Sequence, residues 1–171
     1  GSAVFLKAMG RSRTAADAIG MRLQPPTGVE SVGDTINLSL ADPAGIVTQV
    51  DAAFPNQGKP VWVLRRDTKS LAVLEGLQSE LKDPASDVPN QPDYAKNEYR
   101  SIKPEYLVVV GICSHLGCSP SDKFQTGAQP SLPSDWAGGF LCPCHGSTFD
   151  LAGRVFKNKP APDNMEVPPH M

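Results

Sequence analysis

The distribution of apolar and polar positions predicts short strands separated by long polar loops. Residues 61–64, Val-Trp-Val-Leu, combine β-branched and aromatic side chains and are typical of a strand. Residues 106–112 form the strongest predicted strand, and a short one is expected at Phe140-Leu141. Residues 29–40 alternate weakly between apolar and polar side chains, which indicates a further strand.

Helices are predicted at only two places. Thr14 is a suitable N-cap for a short helix that Gly20 would end, and residues 69–81 have the composition of a second short helix. Residues 82–104 and 119–139 are rich in proline and small polar residues, so both are predicted to be long loops. Proline inside a helix removes a hydrogen bond and clashes with the preceding turn, so 17 prolines favour an all-β fold.

A chain turn is predicted at Ala152-Gly153, within residues 149–156. The expected core contains the aromatic and branched side chains of these strands together with both tryptophans: Trp62, Trp136, Phe140 and residues 108–110. The charged residues 65–67, Arg-Arg-Asp, are expected to form a solvated face.

The charge balance excludes one class of partner. Sixteen basic and 18 acidic residues give a net charge of −2, whereas nucleic-acid binding requires a basic face. The longest apolar run, residues 107–113, is far shorter than the roughly 20 residues of a membrane-spanning helix. No signal peptide is visible, and Gly1-Ser2 resembles a remnant of cloning, so we expect the natural N-terminus to lie further upstream.

All four cysteines and two of the three histidines lie in two hexapeptides. Residues 113–118 read Cys-Ser-His-Leu-Gly-Cys, and residues 142–147 read Cys-Pro-Cys-His-Gly-Ser. Each hexapeptide follows a predicted strand and contains a glycine, so a turn on a rigid base can direct its side chains to one point. A metal site that takes one cysteine and one histidine from each is sterically reasonable. His170 lies apart and is expected to be an ordinary surface histidine.

Four kinds of chemistry could explain these six residues. A structural zinc site would use Cys and His ligands but leave two candidates over. Two disulfides would leave the histidines without a role, and a nucleophilic cysteine with a nearby histidine would not explain the duplicated pattern. A 2Fe-2S cluster with two cysteines on one iron and two histidines on the other uses four residues and leaves two cysteines free to pair.

Together the hexapeptides resemble the paired signature of Rieske iron–sulfur proteins, and more narrowly that of the Rieske subunit of bacterial ubiquinol–cytochrome c reductase. The similarity covers residues 98–171, including Pro160-Ala161-Pro162, and the early strand at residues 59–63. The resemblance implies an antiparallel β-sandwich with a small inserted cluster-binding subdomain, long proline-rich loops and little helix.

The resemblance also implies a division of the chain. Residues 21–112 and 149–171 are expected to form the base β domain, and residues 113–148 the cluster-binding subdomain. Residues 1–20 are expected to be the remnant of a hinge or a tag. Members of the family usually continue with another strand beyond residue 171, so the chain is expected to be shortened at that end.

For the site, the resemblance implies one Rieske 2Fe-2S cluster. Cys113 and Cys142 would bind the inner iron, while His115 and His145 would bind the outer iron at an exposed tip. His145 would also accept a hydrogen bond from quinol and take its proton, with His115 as the second exposed imidazole.

The same resemblance implies structural and shielding roles for other residues around the cluster. Cys118 and Cys144 would form a disulfide that ties the two hexapeptides together, which implies an oxidising compartment. The Ser147 hydroxyl would donate to a bridging sulfide, Leu116 would shield the cluster and enter the quinol pocket, and residues 160–162 would cover the cluster.

Many high-potential members of the family have tyrosine at the position of Phe149, where the hydroxyl donates to a ligand sulfur. Hydrogen bonds to sulfur stabilise the reduced cluster and raise its potential. Phe149 has no hydroxyl, so we predict a potential below that of tyrosine-containing relatives.

The function implied is electron transfer from quinol, coupled to a proton, to a c-type cytochrome of the respiratory chain. The partners would be cytochrome b and a c-type cytochrome, with a native membrane anchor, at the periplasmic face of a bacterial inner membrane. The enzymatic reaction would belong to the assembled complex.

Two alternative functions stay open. A soluble Rieske ferredoxin or ring-oxygenase domain typically lacks the extra cysteine pair, and an oxygenase needs a further site of two histidines and a carboxylate, for which only His170 is left. A Rieske subunit of another periplasmic oxidoreductase, such as arsenite oxidase, is the second.

Overall fold

The computed structural model describes residues 45–50 and 59–170 of the chain. The described strands form two antiparallel sheets of three strands each, in the orders β1-β2-β3 and β4-β5-β6. Their bounds are β1 Gly45–Val50, β2 Val61–Arg65, β3 Tyr106–Val110, β4 Ser121–Lys123, β5 Gly139–Leu141 and β6 Thr148–Phe149. The antiparallel all-β class predicted from the sequence is confirmed. The helix predicted from Thr14 and the strand predicted at residues 29–40 lie outside the described residues.

The first sheet is built around β2 and β3. Val61 pairs with Val110 and Val63 with Val108, and these four side chains are buried, as β-branched residues in a two-sided strand should be. Both strands were predicted, but β3 ends two residues earlier than expected. Gly111 lies so close to the indole ring of Trp62 that a Cβ there would be 2.2 Å from a ring atom.

One α-helix, α1 (Thr68–Gly76), follows β2. The carboxylate of Asp67 accepts a hydrogen bond of 2.8 Å from the backbone N–H of Ser70, and this N-cap lowers the pKa of Asp67. The helix predicted at residues 69–81 is thus confirmed over its first part, and the remainder includes the short 3₁₀-helix Gln78–Glu80. The loop predicted at residues 82–104 contains a second 3₁₀-helix, Asp93–Ala95.

The second sheet contains one strand that sequence patterning missed. Ser121–Lys123 lies in the predicted loop at residues 119–139 and pairs with β5 as an edge strand. Three polar residues give no alternating signal, so only the partner strand identifies this segment. The predicted turn at Ala152-Gly153 is confirmed, since Phe149 pairs with Val155 and Gly153 has a φ of +70°.

Side chains of both sheets meet in one core. Leu107 of the first sheet and Phe149 of the second belong to the same buried cluster, and the rings of Trp62 and Phe140 stack with centroids 5.5 Å apart. Trp136 is also buried, as expected. None of the helices in the described part of the chain has the length and hydrophobicity needed to cross a bilayer.

The prediction of a solvated face at residues 65–67 was wrong for Arg66. Its guanidinium is buried and donates to the backbone oxygens of Pro104, Tyr99 and Leu151 and to the Ser101 hydroxyl. Burial lowers the pKa of Arg66 to about 10, and the nearby charge of Asp150 partly offsets this effect.

Arg66 is one of three buried arginines near a single buried carboxylate, that of Asp150. Arg154 and Asp150 form an ion pair of 2.8 Å in which both side chains are 0% exposed. Arg100 donates to the Met165 carbonyl at 2.7 Å and to the side-chain oxygens of two loop residues, Asn90 and Gln91. We call Arg66, Arg100, Arg154 and Asp150 the buried arginine network.

The prediction that His170 is an ordinary surface residue was also wrong. The side chain is 0% exposed, its Nδ1 lies 2.8 Å from the carbonyl oxygen of Pro168, and its ring meets that of Tyr94 edge-on. Its backbone N–H donates to the Tyr94 hydroxyl. Burial lowers the pKa of the His170 imidazole.

Candidate metal centre

The two hexapeptides form two loops with the same hydrogen-bond pattern. In loop 1, residues 113–118, the N–H of Gly117 donates to Cys113 O and the N–H of Cys113 donates to Cys118 O. In loop 2, residues 142–147, the N–H of Gly146 donates to Cys142 O and the N–H of Cys142 donates to Ser147 O.

Each turn depends on its glycine. Gly117 has a φ of +81° and Gly146 a φ of +76°, a region that side chains with a Cβ rarely adopt. A Cβ would meet nothing within 4 Å at either position, so backbone conformation rather than space requires glycine. The same glycine-dependent turn thus forms in both loops, each of which contains one free cysteine and one histidine.

A disulfide between Cys118 and Cys144 joins the two loops, as the resemblance implies. The sulfur atoms of Cys118, Cys142 and Cys144 all lie within 4.8 Å of one another, which would suit a metal if all three were thiols. Two of them are oxidised, however, so Cys142 is the member of this group that retains a thiol for a metal.

Cys113 and Cys142 are free and buried, with 2% and 1% of their surfaces exposed. Burial raises the pKa of the Cys113 thiol, and the neighbouring Cys142 thiol raises it further, whereas hydrogen bonds from the His115 backbone and the Ser147 hydroxyl lower it. Two adjacent buried thiols are poorly solvated as anions unless a cation neutralises them.

The histidine rings approach each other from the two loops. Their centroids are 4.8 Å apart with the planes nearly perpendicular, and His145 is exposed whereas His115 is half-buried. The Nδ1 atom of His115 is buried and has no hydrogen-bond partner among the described residues. A buried ring nitrogen without a partner is costly, so it fits a position where it donates its lone pair to a metal.

Two buried thiols and a partnerless imidazole nitrogen therefore lie in two loops that the disulfide holds together. Sulfur and nitrogen donors in these numbers fit the mixed ligand set of a histidine-ligated 2Fe-2S cluster. Sulfur and nitrogen donors also suit zinc, so the donor atoms alone do not distinguish an iron–sulfur cluster from a zinc ion.

A third segment, residues 159–163, closes over the two loops, and we call it the proline loop. The backbone N–H of buried Ala161 donates to Ser147 Oγ at 2.9 Å, which leaves the Ser147 proton free for an acceptor such as the neighbouring sulfur of Cys113. Ser114 Oγ donates to the Asp163 carbonyl at 2.6 Å. The structure thus brings the predicted covering segment into contact with both metal-binding loops.

Two further residues predicted to affect the cluster differ in their exposure. Leu116 is at the exposed tip of loop 1, with 70% of its surface accessible. Phe149 is 0% exposed and belongs to the same hydrophobic core as Cys113 and Cys142.

Sequence reasoning missed Lys82. Its Nζ donates to the backbone oxygens of Lys159 and Ala161, both at 2.7 Å. A lysine in a polar loop carries no signal that distinguishes it from a solvated one, and its partners lie almost 80 residues away and are backbone atoms.

Comparisons with known proteins agree with the geometry. The family model described as Rieske [2Fe-2S] domain matches residues 85–169. The chain is 60% identical over 115 residues to the ubiquinol-cytochrome c reductase iron-sulfur subunit of Allochromatium vinosum, an alignment that covers 67% of this chain and 55% of that protein.

More distant relatives show the same similarity. The ubiquinol-cytochrome c reductase iron-sulfur subunit of Rhodospirillum rubrum is 39% identical over 115 residues, with 67% of this chain and 54% of that protein covered. The mitochondrial cytochrome b-c1 complex subunit Rieske of Theropithecus gelada is 36% identical over 136 residues, with 79% and 41% covered. The chain spans about half the length of the curated relatives it matches.

Proposed function

This chain belongs to the Rieske [2Fe-2S] domain family, and we propose that it transfers single electrons from quinol to a c-type cytochrome within a cytochrome bc complex. The observation that carries the proposal is the pair of disulfide-linked loops, each offering one free thiol and one imidazole. The names of the relatives, which are iron-sulfur subunits of quinol–cytochrome c reductases, support the reaction.

We propose that Cys113 and Cys142 bind one iron and that His115 and His145 bind the other. The burial of both thiols and the partnerless Nδ1 of His115 support this assignment. When bound, the 2Fe-2S cluster supplies a one-electron redox centre whose potential lies above that of ferredoxins with four cysteine ligands.

We assign the proton released by quinol to the two imidazoles. We propose that the exposed His145 accepts a hydrogen bond from a quinol hydroxyl and takes its proton, with His115 beside it as the second exchangeable imidazole. The exposed Leu116 then shields the site and inserts into the quinol pocket of the partner. An apolar side chain with 70% exposure at this tip supports a contact surface.

The remaining assignments concern the complex, its location and the division of the chain. We propose a membrane complex containing cytochrome b and a c-type cytochrome, at the periplasmic face of a bacterial inner membrane, with the anchor outside the described residues. The disulfide supports an oxidising compartment. We also keep the proposed division into a base domain (residues 21–112 and 149–171), a cluster-binding subdomain (residues 113–148) and a hinge or tag (residues 1–20).

Low-temperature EPR of the reduced protein tests the cluster. The expected signal has an average g value below about 2, and the protein should contain iron rather than zinc. Cys142→Ser should abolish the signal, whereas His170→Gln, which changes a histidine outside the two loops, should keep it.

Redox titration tests the coupling to the proton. If reduction protonates an imidazole, the potential should fall by up to about 59 mV per pH unit between about pH 6 and pH 10. A potential that does not change over this range would disprove proton coupling.

A further inference from the structure

We infer that Lys82 is a positioning residue for the metal centre, because its ammonium group fastens the proline loop over the two metal-binding loops. This inference rests on the proposed function in so far as the centre holds a redox cluster. It concerns the protein's own hydrogen bonds, which can be measured independently of electron transfer.

Lys82 uses two of its three donors on the proline loop. Nζ lies 2.7 Å from Lys159 O and 2.7 Å from Ala161 O, so one cation bridges two carbonyl groups of the same short segment. Hydrogen bonds from charged donors are roughly twice as strong as neutral ones. The lysine therefore fixes the direction of the two carbonyls that it bridges.

The backbone of Lys82 is itself held in place. Its N–H donates to Val155 O at 3.0 Å, and the preceding residue, Leu81, pairs with Phe156. The backbone of the lysine is thus paired with the hairpin that follows β6, so its ammonium has a rigid base.

From Ala161 the contacts lead to the ligand sulfur. The N–H of Ala161 donates to Ser147 Oγ at 2.9 Å, and the Ser147 hydroxyl lies beside the sulfur of Cys113, to which it can donate its proton. Since Ala161 is 0% exposed, its carbonyl is satisfied by Lys82 and its N–H by Ser147. A displaced Ala161 would release Ser147 Oγ to rotate away from the sulfur.

The far end of the proline loop has a second attachment. Ser114 Oγ donates to Asp163 O at 2.6 Å, so this end stays fixed to loop 1 without Lys82. Loss of the lysine should therefore loosen residues 159–161 and leave Asp163 in place.

A hydrogen bond to a ligand sulfur stabilises the reduced, more negative cluster and raises its potential. Removal of the Lys82 ammonium should misalign the Ser147 hydroxyl, so the potential should fall and the cluster should be lost faster. Lys82→Arg keeps a cation with several donors and should restore both properties.

The experiment compares Lys82→Met, Lys82→Arg and the control Lys157→Met. Lys157 Nζ donates to the Ser79 carbonyl at 2.8 Å, so the control removes the same charge and one backbone contact outside the proline loop. Each protein is examined by hydrogen–deuterium exchange over residues 159–163 and by redox titration.

In Lys82→Met we expect the Ala161 amide to exchange at least about fivefold faster, the factor that corresponds to one lost hydrogen bond, together with a lower potential. Lys82→Arg and Lys157→Met should match the unsubstituted protein in both measurements. Unchanged exchange in Lys82→Met, or an equal fall in potential in Lys157→Met, would overturn the inference. If the unsubstituted protein binds no cluster, the proposed function fails, while the exchange data still decide whether Lys82 holds the loop.

Discussion

The metal-binding loops and the buried arginine network differ in whether their buried polar atoms have hydrogen-bond partners. In the network, Arg66 has four acceptors and Arg154 lies against the carboxylate of Asp150 with both side chains fully buried. In the loops, the Nδ1 of His115 has no partner among the described residues, and two free thiols lie side by side. The network satisfies its donors with acceptors from the protein, except for the Nε of Arg100, whereas the loops leave the proposed ligand atom of His115 without a partner in the part of the chain that the structure describes.

This difference separates groups that support the fold from groups that support the site. A buried charge is tolerated when backbone carbonyls and a counter-ion replace water, and the network meets this condition with acceptors from distant loops. A buried donor or acceptor left without a partner destabilises the protein unless a ligand completes it. Substitutions in the network should therefore affect the whole fold, and those in the loops should affect mainly the cluster.

The largest effect on stability is expected for Asp150→Asn. The substitution removes the one carboxylate of the network and leaves the Arg154 charge uncompensated in the interior, which should cost about 3–5 kcal/mol. Urea unfolding measures the change. Asp87→Asn breaks the exposed pair with Lys96, whose side chains are 76% and 46% exposed, and should cost under about 1 kcal/mol. Equal losses in both variants would remove the distinction between the two kinds of ion pair.

Loss of the disulfide comes next. The bond closes a loop with a sequence separation of 26, so the double variant Cys118→Ser/Cys144→Ser should lose about 3–4 kcal/mol in the chain-entropy model. Unlike Asp150→Asn, it should also release the cluster at denaturant concentrations below global unfolding, which visible absorbance can follow. The control is Ser119→Ala, at an exposed position beside loop 1. Cluster loss that coincides with global unfolding would contradict a local role for the disulfide.

A smaller effect is expected for Phe149→Tyr, and it concerns the potential. A hydroxyl added to this buried ring, in the cluster of side chains that contains both free thiols, should donate to a ligand sulfur and raise the potential. Phe156→Tyr is the matched control, since the Phe156 ring packs on Trp136 and lies outside the buried group of side chains that contains both free thiols. A potential in Phe149→Tyr that stays unchanged or falls would disprove the prediction.

The smallest effect is expected for the pH dependence that His170 confers. Its pKa in the folded protein is below the ordinary value of 6.5, so the unfolded chain takes up a proton first as the pH falls. The stability contribution of the neutral ring is therefore complete above pH 6.5 and is lost below it. Unfolding free energies from pH 7.5 to about 5 should fall more steeply for the unsubstituted protein than for His170→Gln. Parallel curves would show that the pKa of His170 does not change on unfolding.

Sequence reasoning found what local composition encodes. Strands β2, β3 and β5 contain apolar runs, and the two hexapeptides identify their own chemistry through the number and spacing of cysteine and histidine. Strand β4 was missed because Ser-Asp-Lys acquires strand geometry only by pairing with β5.

The main failure concerned cations that donate to distant backbone carbonyl groups. Arg66 was assigned to solvent because arginine is rarely buried, and the backbone oxygens that satisfy it come from residues 33 to 85 positions away. Lys82 escaped notice for the same reason, since its acceptors are main-chain atoms that any sequence supplies. The tertiary fold decides which carbonyl groups lie near a cation, so the neighbouring sequence contains no pattern that predicts them.

The disulfide has one more consequence, which concerns how the molecule responds to proteases. Cys118 and Cys144 close a covalent ring that contains β4, β5 and the loop between them. That loop has many exposed positions, including Gln125, Thr126 and Ser134, where a protease can reach the backbone. A single cut there would open the ring without dividing the molecule, because the sulfur bridge still joins the two pieces. The nicked protein would migrate as one species until a reductant is added.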